Sequence, residues 1–274
     1  MILGLLMFGG GAAAGLFGSL LGLGGGVLIV PLLTLGFGLP LRESVGVSLV
    51  CVIMTSSAAA GVYLERHVAN LRLGMTLELF TALGALVGGS IAFLLDERLI
   101  ALLFAGLLAY VAFTMARARR PVAVEEAAVE EVLDALAKEP HEGRDRLSGT
   151  GYRVRNLGPG MFGATVAGVV SALLGIGGGT IKVPLMHLAM GVPLRVATAT
   201  SNLMIGVTAA ASSVIYVING GIDPFVAGPT AIGVFLGATA GSRLSHRVDV
   251  NLLRLLFVIV LGYTAIQMLL RGLA

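Results

Sequence analysis

The sequence has no tryptophan, a single cysteine, and only 12% charged residues, roughly half the proportion found in a soluble domain. One cysteine, Cys51, excludes an internal disulfide and any cysteine-based metal cluster. So little charge, with 57% apolar residues and a mean hydropathy of +0.97, excludes an ordinary water-soluble chain. The Walker pattern GxxxxGK[ST] is missing too, so ATP would have to act through a separate subunit. Metal-spaced His or Cys clusters, paired carboxylates within a span and a serine beside a base are all missing. Catalytic residues, metal ligands and cofactors are therefore not expected, which argues against an enzyme. The net charge of +3 comes from arginines at the ends of apolar runs, which reflects membrane topology rather than nucleic-acid binding.

What the chain does have is apolar length. Runs near 44–64, 73–95, 98–116, 197–217, 226–242 and 251–270 each approach the ~20 residues that span a bilayer. Two further apolar stretches, 2–38 and 158–191, contain glycine clusters. The opening MILGLLMFGG has neither a basic leader nor an evident cleavage site and reads as part of the fold.

The sequence is written twice. Aligning the halves without a gap places Gly22 on Gly175, Pro31 on Pro184, Pro40 on Pro193, Arg42 on Arg195 and Ser48 on Ser201. The register persists to Thr55 on Thr208, Gly84 on Gly237 and Tyr110 on Tyr263. Equivalent loops carry opposite charge bias: Arg66, His67 and Arg72 face the uncharged-to-acidic NGGID at 219–223. Conversely, the lone arginine of DER at 96–98 matches a region with Arg243, His246, Arg247 and Arg254. Because short basic loops mark the cytoplasm, equivalent loops are expected on opposite faces.

The expected fold is thus an all-α integral membrane protein of two inverted-topology repeats, each a glycine-broken, re-entrant helical hairpin plus three transmembrane helices. Residues 1–116 form the first repeat, 117–157 a cytoplasmic linker and 158–274 the second repeat. The linker carries Arg117, Arg119, Arg120, Lys138, Arg144, Arg146, Arg153 and Arg155. Within it, 122–139 has the spacing of a short amphipathic helix, read as a solvated connector.

The hairpins are the chemically informative part. Unpaired backbone in hydrocarbon costs several kcal/mol per group, so helix-breaking glycines at membrane depth are expected to line a cavity. A helix restarting after Gly24, Gly25 and Gly26, or after Gly177, Gly178 and Gly179, offers free N–H groups and a positive dipole end to an anion. The competing reading is close helix packing through small residues. Thr180 and Lys182 follow the second cluster, and the counterpart of Lys182 is Ile29. A mid-bilayer lysine costs roughly 2.5–3.5 kcal/mol. It is expected to face an anion, the alternatives being snorkelling or pairing with a carboxylate. Ser48, Ser201 and Asn202 are placed to complete an anion's hydrogen bonds, or to bond between helices. Arg42 and Arg195 close the hairpins, as vestibule residues or headgroup anchors. Glu78, about one turn inside a span with Ala231 as its counterpart, is a candidate for proton coupling, the favoured reading being interfacial or paired with a basic neighbour.

The two hairpins, GLGGGVLIVPL at 22–32 and GIGGGTIKVPL at 175–185, with GLPLRESVGVSL and GVPLRVATATSN after them, resemble the TauE/SafE family of bacterial membrane anion permeases. The resemblance runs from about residue 11 to 271. It implies a secondary transporter in the bacterial cytoplasmic membrane for small sulfur-containing anions such as sulfite, sulfoacetate or other organosulfonates. Alternating access around a central site between the two GGG tips is the expected mechanism. A passive anion channel, or a carrier of a different small organic anion, is the alternative. The expected partners are the anionic substrate and the lipid bilayer, without nucleic acid. The small-residue face GALVGGS at 84–90 suits packing within one subunit or in a homodimer.

Overall fold

The computed structural model describes residues 2–20, 26–65, 69–117, 152–244 and 250–273, without the side chains of 58–65, 195, 242–244 and 250–254. The expected linker helix at 122–139 lies outside them. The described residues form helices throughout: α1 Ile2–Leu20, α2 Gly26–Pro31, α3 Leu41–Glu65, α4 Leu71–Leu94 and α5 Glu97–Arg117 in the first half. The second half contains α6 Leu157–Leu174, α7 Gly179–Pro184, α8 Leu194–Ile218, α9 Pro224–Leu244 and α10 Val250–Leu273. Seven helices among the described residues are long and apolar enough to cross a membrane. Large side chains such as Leu79, Leu94 and Phe225 stand exposed on their outer faces, where lipid rather than water suits them.

Both short arms end for the same reason. Pro31 and Pro184 close α2 and α7, and a proline removes the N–H that would continue the α-helical ladder. The chain widens at once into π turns, Leu32–Gly36 and Leu185–Ala189. Each arm then runs through a proline, Pro40 or Pro193, into the next long helix. Gly26 stands beside Val52, about 16 Å along α3 at 1.5 Å per residue. The short arm therefore returns from near the middle of α3 to its start. The long arms, α1 and α6, are by contrast among the seven helices of spanning length.

Packing repeats with the sequence. A Cβ on Gly84 or Gly88 of α4 would collide with the carbonyl oxygens of Thr165 and Val169 on α6. Their counterparts Gly237 and Gly241 of α9 abut the carbonyls of Ala12 and Leu16 on α1. Likewise Gly168 meets Thr81, and Gly15 meets Val234. Each half's first helix therefore docks on the third long helix of the other half, backbone against backbone. The GALVGGS face is used inside the subunit.

Equivalent helices cross antiparallel. On α3 and α8, Gly46 lies against the Gly221 carbonyl just past the end of α8, whereas Ser56 donates to the Asn202 carbonyl near its start at 2.5 Å. On α5 and α10, Gly272 sits beside Leu102 and the Arg98 carbonyl.

A central apolar core joins α3, α5, α8 and α10 through residues such as Leu49, Phe104, Tyr216 and Phe257. One smaller cluster around Met7, Ile29, Leu33 and Val234 supports the first hairpin. Another, around Leu77, Met186, Met190 and Met204, supports the second.

Candidate functional site

The two glycine tips meet. Ser48 on α3 is fully buried; its Oγ donates to the Gly175 carbonyl at 2.7 Å and lies 3.3 Å from the Gly26 carbonyl. A Cβ on Gly26 would strike the Gly175 carbonyl and the Val52 side chain. Gly24 and Gly25 fall outside the described residues.

The second tip is a run of left-handed backbone, with φ of +68° at Gly175, +74° at Gly177 and +76° at Gly178. Only glycine adopts this cheaply three times in four residues. The Gly175 N–H caps α6 through the Ser171 carbonyl at 2.8 Å, and Gly178 caps α7. Ile205 and Val52 close on Gly177, and Ile205 and Ser201 on Gly179. The α-helix after the tip is only six residues long before its π turn. Its macrodipole is correspondingly weak, so the side chains carry most of the electrostatics.

Lys182 is the central one. It is fully buried, and its Nζ lies 3.3 Å from Glu78 Oε2 of α4 and donates to Thr208 Oγ1 of α8 at 2.5 Å. Thr208 Oγ1 lies 2.7 Å from Glu78 Oε1 and 3.0 Å from the Met204 carbonyl. Ammonium, hydroxyl and carboxylate form a closed triangle across three helices. Of the roles open to Lys182 in the sequence, pairing with a carboxylate is the one the structure displays. The partner was legible only indirectly: Glu78 and Lys182 both replace apolar residues, Ala231 and Ile29, at equivalent positions of the other half.

Beside the glycine tip that precedes Lys182 lie hydroxyls with no partner. Ser171 Oγ, Thr180 Oγ1 and Ser201 Oγ are buried and have no hydrogen-bond partner. All three border the second tip. A Cβ at Gly178 would stand 3.2 Å from Ser171 Cβ and 3.4 Å from Lys182 Cε, and one at Gly179 would stand 3.6 Å from Ser201 Oγ. Buried hydroxyls are nearly always paired, so three orphans in one place call for an occupant. Sequence reasoning named Thr180 and Ser201 but missed Ser171, which looks like an ordinary small residue in α6.

The remaining sequence candidates sit differently. Asn202 is half-buried and contributes its backbone carbonyl to Ser56. Arg42 donates through Nη2 to the Leu95 carbonyl, and its guanidinium lies 6.0 Å over the Phe93 ring, bracing the α4–α5 turn. The Arg195 side chain is outside the described residues. Among the described residues no three His, Cys, Asp or Glu side chains are grouped for a metal ion.

Duplicated bundles with broken hairpins, antiparallel equivalent helices and a lipid-suited exterior define a multi-pass membrane protein. The family described as Sulfite exporter TauE/SafE matches residues 7–268, and the chain belongs to it. Relatives include the probable membrane transporter protein YunE of Bacillus subtilis, 26% identical over 96% of both chains. A probable membrane transporter protein of Methanocaldococcus jannaschii is 25% identical over 95% of this chain and 93% of its own. Another, of Xylella fastidiosa, is 26% identical over 98% and 95%. No solved structure matches the chain.

Proposed function

We propose that this chain is a secondary transporter that moves small sulfur-containing anions, such as sulfite, sulfoacetate or other organosulfonates, across the bacterial cytoplasmic membrane. The reading rests above all on the second tip, where the unpartnered hydroxyls of Ser171, Thr180 and Ser201 border the same glycines as the buried Lys182. A sulfite or sulfonate group presents three oxygens that accept hydrogen bonds and a charge that an ammonium neutralises. The three hydroxyls have no such acceptors, and the ammonium has Glu78 as its only negative partner among the described residues. The family's description as sulfite exporters points to the same anions.

Alternating access supplies the mechanism. The tips close on each other through Ser48, Val52 and Ile205, which favours a carrier that must rearrange over a continuously open channel. Inverted repeats give such a carrier two equivalent conformations by exchanging the roles of its halves. The antiparallel packing of α3 on α8 and of α5 on α10 supports that inversion, with the basic linker on the cytoplasmic side.

The test is flux into proteoliposomes of the purified protein, using sulfite, sulfoacetate and a neutral control. Saturable uptake of one anion, inhibited by the other, is expected. Linear, unsaturable conductance would favour the channel, and the absence of flux for every anion would remove the reading.

A further inference from the structure

The ion pair at the second tip has a built-in control in the first half of the molecule. The same hairpin, packed in the same way, holds Ile29 and Ala231 where the second half has Lys182 and Glu78. Both apolar counterparts are buried in one cluster with Leu33 and Val234. The architecture therefore forms without a charge at either position. Buried ion pairs are also often no more stabilising than the apolar residues that can replace them. The pair needs a reason other than folding.

Its geometry supplies one. Glu78 reaches the ammonium from α4, while Ser171, Thr180 and Ser201 around the same tip remain unpartnered. A carboxylate that binds Lys182 and Thr208 but leaves three donors unused is an anion of the wrong shape for this pocket. We propose that Glu78 is the resident counter-anion of Lys182, displaced and protonated each time the transported anion takes the ammonium, so that anion and proton cross together. This rests on the transport reading above and adds its coupling.

The charges balance at each stage. The empty site holds Lys182 as ammonium and Glu78 as carboxylate. A monovalent anion entering with one proton leaves the ammonium facing that anion and Glu78 as a neutral acid. Retaining an unpaired carboxylate at this depth is what the interior disfavours, and the proton removes that cost. Release reverses both steps: the anion leaves, Glu78 gives up its proton to water and recovers the ammonium.

No other described group competes for the role. α6 carries no ionisable side chain, and Lys182 is the only one in α7. On α8 the Tyr216 hydroxyl donates to the Ala172 carbonyl at 3.0 Å, and Arg195 at the helix start has no described side chain. His187 in the following π turn bonds the Val192 carbonyl at 2.9 Å through Nδ1. On α4 itself, Arg72 is exposed at the first turn.

The experiment uses methanesulfonate, an organosulfonate that stays a monoanion so that no neutral form leaks, rather than sulfoacetate, whose carboxyl adds a second charge, and proteoliposomes with a pH dye outside. For the wild type, an inside-alkaline gradient should accelerate uptake several-fold, with about one external proton consumed per anion. In Glu78→Gln, whatever flux remains should ignore the gradient and consume no protons. Should that variant fail to fold, wild-type calorimetry in buffers of different ionisation enthalpy decides, one proton taken up per bound anion being expected. Wild-type flux with no proton movement, or a Gln variant that stays coupled, overturns the proposal while leaving transport intact. If sulfite, sulfoacetate and methanesulfonate all fail to move under any gradient, the transport reading fails and the coupling falls with it.

Discussion

Replacing Lys182 by isoleucine, the residue its counterpart position holds, isolates what the buried pair does for stability. Glu78 is 7% exposed and Lys182 1%, so removing the ammonium strands a carboxylate that water reaches poorly. Breaking such a pair from one side costs about 3–5 kcal/mol. Lys182→Ile combined with Glu78→Ala recreates the first half's chemistry, and stability should return to within about 1 kcal/mol of wild type. The assay follows from composition. With no tryptophan, intrinsic indole fluorescence is absent, but Cys51, the sole cysteine, is buried at 0% exposure. A fluorogenic maleimide therefore reports its exposure on heating in detergent. A double variant as unstable as the single would refute the argument, because the pair would then be structural. A stable single variant would refute the burial cost on which it rests.

Three further outcomes follow from named contacts. Gly84→Ala and Gly237→Ala each drive a methyl into a carbonyl, that of Thr165 or Ala12; each should cost about 1–3 kcal/mol. Gly262→Ala, with open space around it, should be neutral in the same thiol assay, and equal effects at all three would count against backbone docking. Ser201→Ala removes a buried hydroxyl without a partner, so stability should hold or rise while anion affinity drops about tenfold, the worth of one hydrogen bond to a charge. Unchanged affinity would take Ser201 out of the site. For topology, Asn219→Cys and Arg72→Cys, both at exposed positions, should label from opposite faces of sealed vesicles, the first from outside. Labelling from one face would defeat the inversion.

Much of the fold was legible in one dimension because duplication and hydropathy are local properties. Spans at 73–95 and 98–116 appear as α4 and α5, and GGG followed by proline marks both hairpins, since few residues but glycine tolerate that turn and proline ends an α-helical ladder. The second tip also stood out, through Lys182 standing where Ile29 stands in the other half. Ser171 was not legible: a serine inside a small-residue helix reads as packing until its neighbours are known.

The sequence by itself therefore determined the membrane environment, the two repeats, the positions of the breaks and the one lysine out of pattern. Tertiary structure alone decided that Lys182 meets Glu78, which lies 104 residues away in the chain, and that Ser48 fastens one tip to the other across 127. The physical reason is one of range. Hydropathy, proline and glycine act on their own neighbours, whereas an ion pair or an orphaned hydroxyl exists only once α4, α7 and α8 are brought together. α4 meets α8 where Gly74 and Gly89 admit the side chains of Thr200 and Ile215, and α7 meets α8 where Gly179 admits Ile205, pairings between distant segments that local hydropathy does not record.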